Sequence, residues 1–188
     1  MMGRKRIAAR FSALSWLSAI MFLGVLAAAF GRAGAIVPLY IAGSGVAAVC
    51  GFVYAAALAR LVSLARSYRG AAIFISLGCL AAALTAAAQL APEAAAMGRA
   101  LRLYAAAMFL VGEYCEFTAH AAALGGVSER LAALARALRW IYAAALAVFA
   151  AAGFVAAAWD AVAAGAALLI AEGARFALLR SAAGKLRG

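Results

Sequence analysis

Residues 11–30 read FSALSWLSAIMFLGVLAAAF, twenty positions without one ionisable side chain, preceded by Arg4, Lys5, Arg6 and Arg10 and closed by Gly31, Arg32 and Gly34. As an α-helix rising about 1.5 Å per residue, this stretch is about 30 Å long, the thickness of the hydrocarbon core of a bilayer. Its apolar residues are continuous rather than alternating, and in hydrocarbon every backbone N–H and C=O must be satisfied within the chain. The stretch therefore reads as a membrane-spanning helix and not as a barrel strand.

The same pattern recurs along the chain. A second span is expected over 36–59, with Pro38 near its start, where a missing N–H is tolerated. A third covers 71–90 and stops before Pro92, and a fourth covers 103–124 and stops at Gly125 and Gly126. The apolar run over 140–179 is too long for one span. Asp160, beside Trp159, is the natural break, giving a fifth helix ending at Trp159 and a sixth from Ala161, with Trp140 and Trp159 as interfacial anchors. The fold class is thus all-α, a polytopic transmembrane helical bundle of six spans. The first span also sketches a signal peptide, ending in the small residues Ala27 to Ala29, but its apolar run exceeds a typical signal's. It is read as an uncleaved anchor, and cleavage would leave five spans.

Composition agrees: 70% of the 188 residues are hydrophobic, 12% are charged, and mean hydropathy is +1.06, which excludes an ordinary water-soluble domain. The charges orient the bundle, because cytoplasmic loops carry the excess of Lys and Arg. Arg4, Lys5, Arg6, Arg10, Arg60, Arg66, Arg69, Arg130, Arg136, Arg139, Arg180, Lys185 and Arg187 fall on one side, thirteen against Arg32, Arg99 and Arg102 on the other, where Glu93 and Asp160 oppose them. Both ends are therefore expected in the cytoplasm, in a bacterial-type inner membrane. The net charge of +11 sits between apolar runs, so its expected partner is anionic lipid headgroups and not nucleic acid.

The segments RLVSLARSYR (60–69) and RLAALARALR (130–139) share the pattern RLxxLARxxR 70 positions apart, with a weaker echo from Arg175 to Arg187. The chain reads as one integral domain, 1–188, holding a pseudo-repeat of helix pairs, 11–69, 71–139 and then 140–188. Drawn as helices, the two segments put Leu61, Leu64 and Tyr68, or Leu131, Leu134 and Leu138, on one side. Arg60, Arg66, Arg69, Arg130, Arg136 and Arg139 are then candidates for lipid-phosphate contacts.

One place departs from what membrane residence requires. The fourth span holds Gly112-Glu-Tyr-Cys-Glu-Phe-Thr-Ala-His120, with two of the six acidic residues and the only histidine. Spacings of three, four and seven align Glu113, Glu116 and His120 on one stripe, and Cys115 points elsewhere. The sixth span adds Glu172 at similar depth, with Arg175 three residues on. An ionised carboxylate at the bilayer centre costs at least about 2.5 kcal/mol, so these groups face the bundle interior and find partners or hold protons. Three uses compete: pairing of Glu172 with Arg175 along one helix, a proton or cation path relayed by His120, or a metal site built on Glu116 and His120. A single histidine makes the metal the weakest, and no metal or cofactor is assigned.

Cys50, Cys79 and Cys115 form no CxxC and read as buried packing residues. No GxSxG, HExxH, Walker loop or helix-opening GxGxxG occurs, which argues against an enzyme. The chain is thus expected to be a non-catalytic structural or interaction component of the membrane, docking on another membrane protein or on itself. The competing expectation is a proton- or cation-coupled carrier or channel using Glu113, Glu116, His120 and Glu172.

Overall fold

A computed structural model of the chain describes residues 4–88, 90–152 and 158–187. The described residues form six α-helices and one short 3-10 turn: α1 (Arg4–Ala33), α2 (Val37–Ala59), α3 (Ser67–Ala88), the turn Pro92–Ala94, α4 (Ala95–Gly125), α5 (Glu129–Ala152) and α6 (Ala158–Arg187). By length and composition α1, α2, α3 and α5 are long and apolar enough to cross a membrane. α4 carries Glu113, Glu116 and His120 within its length, which lowers its hydropathy without shortening it.

Several boundaries move from those read in the sequence. α4 starts eight residues earlier than the apolar run, because Arg99 and Arg102 continue the helix as long side chains able to extend beyond its apolar part. α5 is described to Ala152 and α6 from Ala158, so Trp159 and Asp160 lie inside helix and the break expected at Asp160 is not found there; residues 153–157 lie outside the described residues. The two RLxxLARxxR segments also diverge. Residues 130–139 are wholly helical within α5, whereas 60–66 form the connection between α2 and α3, and helix resumes at Ser67. Ala132, Ala133 and Ala137 in the helical copy are replaced by Val62, Ser63 and Ser67 in the other, a run with weaker helix propensity.

Packing follows a closed order: α1 on α2, α2 on α3, α3 on α4, α4 on α5, α5 on α6, and α6 back on α1. The α1–α2 seam is the closest. A Cβ on Gly24 would lie 2.7 Å from the Ala47 amide nitrogen and 2.9 Å from the Gly43 carbonyl oxygen, so the backbones touch where neither helix has a side chain. Residues 34–36 reverse the chain between these helices, with Ala35 in the left-handed region at φ 54°.

The distribution of polarity is compatible with lipid as the surrounding solvent. Phe30 and Ile170 are 70% and 72% exposed on the outside of the ring, while Glu116, His120 and Arg175 are 0% exposed inside it. In water this arrangement would expose what folding is driven to bury.

Candidate functional site

Glu113, Glu116 and His120 occupy the inward stripe of α4, and all three are buried. Arg175 of α6 reaches them across the ring. Its Nη2 pairs with Glu113 Oε2, its Nη1 lies 3.3 Å from Glu172 Oε1, and its Nε lies 4.0 Å from Glu116 Oε1. One guanidinium thus serves three carboxylates. Its faces are also covered: Cζ stands 4.4 Å from the Tyr142 ring centre, 5.4 Å from Phe117 and 5.8 Å from Tyr54.

The remaining helices complete the network. Ser18 of α1 donates to Glu172 Oε2 at 2.8 Å. The Tyr54 hydroxyl of α2 donates to Glu116 Oε1. His120 Nε2 lies 3.0 Å from that same Glu116 oxygen, and its Nδ1 lies 2.7 Å from the hydroxyl of Tyr68, the second residue of α3. The imidazole is held between the rings of Phe11, Tyr68 and Phe117, at centroid separations of 5.5, 5.4 and 5.9 Å. With Tyr142 from α5, every helix of the ring contributes a polar side chain to the centre.

All five residues of the polar cluster read from the sequence therefore meet: Glu172 pairs with Arg175, and Arg175 pairs in turn with Glu113 and Glu116 of α4. Ser18, Tyr54, Tyr68 and Tyr142 were not foreseen. Their signal was weak: tyrosines in membrane proteins gather at the two interfaces, and Tyr54 and Tyr142 lie only six and three residues from Arg60 and Arg139, where an interfacial tyrosine is ordinary. The space between the carboxylates is filled by a guanidinium, so positive charge already stands where a metal ion would. Cys50, Cys79 and Cys115 are free thiols outside the network.

Of the proposed headgroup arginines, Arg60, Arg66, Arg69, Arg130 and Arg136 are exposed, and Arg139 is half-buried. Two open depressions, of about 320 and 240 Å³, share Tyr40 and Leu90 at the end of the bundle where α2 begins and α3 ends; no residue of the buried network lines either. No family model matches the chain, nor does any curated protein or solved structure.

Proposed function

We propose that this chain is a multi-pass protein of a bacterial-type cytoplasmic membrane, six spans with both ends inside, that carries protons through its buried Glu/Arg/His network. The observation behind this reading is charge balance. Three carboxylates against one permanent cation leave two surplus negative charges when all are ionised and His120 is neutral, in a site where Glu113, Glu116 and Arg175 are buried and Glu172 is partly so. Such a surplus is resolved by holding protons, and groups sharing a site share them. A purely structural or interaction role needs only a balanced cluster, which is why the carrier reading is preferred here.

The chain Glu116–His120–Tyr68 supplies a direction of transfer. With Glu116 ionised, Nε2–H donates to it and Nδ1 accepts from Tyr68. With Glu116 protonated, its O–H donates to Nε2, and Nδ1–H donates to the Tyr68 oxygen. The two patterns differ by one proton, so uptake at Glu116 reverses the polarity of the chain, and imidazole is suited to that exchange. Tyr68 lies next to the exposed Arg69, at the end of the bundle that bears most of the basic residues.

Reconstitution into liposomes with an internal pH dye tests the reading. An imposed potential is expected to drive proton entry in the wild type, with at least a tenfold loss in Glu116→Gln and in Tyr68→Phe. Flux that is absent, or indifferent to both substitutions, removes the carrier.

A further inference from the structure

Arg139 differs from the other arginines of the repeated segments. It lies ten residues beyond Glu129 on α5, about 15 Å along the axis, and its side chain runs to the outside of the ring between α4 and α5. There the guanidinium is clamped by two aromatic rings, with Cζ 4.9 Å from the centre of Tyr114 and 5.1 Å from that of Trp140. The rings meet edge-on at 6.1 Å, and both are exposed. Nη1 donates to Thr118 Oγ1 at 3.4 Å, and that hydroxyl donates in turn to the Tyr114 carbonyl at 2.7 Å.

Among the described residues no carboxylate pairs with Arg139, and its Nε is buried without an acceptor. Arginine carries five N–H donors, and one long bond to a hydroxyl leaves most of them unused. Aromatic faces hold the cation in place but accept none of these donors in the guanidinium plane. The counter-ion for a clamped guanidinium opening on lipid has to come from the bilayer, where the available anion is a phosphodiester. A planar fork of donors matches that group, as a lysine ammonium does not.

We propose that Arg139, Thr118, Tyr114 and Trp140 form a binding site for the phosphate of one acidic phospholipid. In the orientation proposed above, this lipid belongs to the inner leaflet, with its phosphate at the level of the interfacial anchor Trp140; Tyr114, and with it Glu113, then lies near that level and not at the bilayer centre expected from the sequence. The acidic class is favoured because the amine of a zwitterionic headgroup would bring a second cation beside the guanidinium. The site rests on membrane residence and not on proton transfer, since it lies outside the ring and shares no residue with the buried network.

Native mass spectrometry of the protein purified in mild detergent provides the test. Wild type is expected to retain one acidic phospholipid, with at least a tenfold loss of the lipid-bound species in Arg139→Ala and an intermediate loss in Arg139→Lys. Arg136→Ala, which removes an exposed arginine paired with Glu129, is expected to retain the lipid. After delipidation, phosphatidylglycerol in micelles should restore the bound species, and phosphatidylcholine or inorganic phosphate should not. Should Arg139→Ala fail to fold, Trp140→Ala opens the clamp from the other side and should show the same loss. Equal retention in wild type and in the folded variants overturns the site; rescue by inorganic phosphate alone overturns the lipid as its ligand, and no retention at all overturns both.

Discussion

Replacing Arg175 by Met tests whether charge balance holds the centre of the bundle together. The substitution keeps an unbranched side chain of similar length but leaves Glu113, Glu116 and Glu172 facing one another without their shared guanidinium. Removing one partner of a buried ion pair costs about 3–5 kcal/mol, because the remaining charge is stranded. For a chain of this length each kcal/mol moves the thermal midpoint by about 2–4 °C, so the midpoint should fall by about 6–20 °C. The assay is thermal unfolding of the detergent-purified protein, followed by intrinsic fluorescence. A second variant separates charge from shape: Arg175→Met combined with Glu113→Gln and Glu172→Gln removes two carboxylates together with the cation. Only Glu116 then remains, held by Tyr54 and His120, and more than half of the loss should be recovered. A single variant within about 1 kcal/mol of wild type would refute the argument. So would a triple variant no more stable than the single one.

Two further outcomes test the frame around this site. Gly24→Ala places a methyl 2.7 Å from the Ala47 nitrogen, where backbone has to move, and should cost about 1–3 kcal/mol in the same melt; Gly45→Ala, with nothing within 4 Å, should cost less than about 0.5 kcal/mol. For orientation, cysteines introduced at Gly126 and at Gly34, in a background without the native thiols, should react with a membrane-impermeant maleimide from opposite sides. Gly126 is expected to label only from the cytoplasm, and labelling from the outside would invert the bundle.

How far the sequence reached depended on the range of the physics involved. The helical state is a property of runs of about twenty residues, so the six helices could be counted off from 11–30 outward. The stripe of Glu113, Glu116 and His120 was equally legible, because three- and four-residue spacings are geometry within one helix. Interfaces that depend on a single residue were less so. RLxxLARxxR predicts the same structure twice, yet the copy with Val62 and Ser63 forms a connection over 60–66 where the copy with Ala132 and Ala133 stays helical. The placement of Asp160 at a break failed for a related reason, since one acidic residue near a helix end is compatible with continued helix.

What the sequence alone determined is an apolar helical chain with its basic residues set between the apolar runs and a set of polar residues costly to leave on an apolar face. What only the tertiary structure decided is who satisfies them. The order in which helices close the ring brings Arg175 across to Glu113, Tyr54 to Glu116 and Tyr68 to His120, contacts between residues 52 to 62 positions apart. No local pattern encodes such pairings: each depends on the rotation of two helices about their axes, fixed by packing over their whole length, as at the glycine seam of α1 and α2. The same rotation turns Arg139 away from its repeated counterpart's setting and into an aromatic clamp, so that one recurring arginine has two different environments.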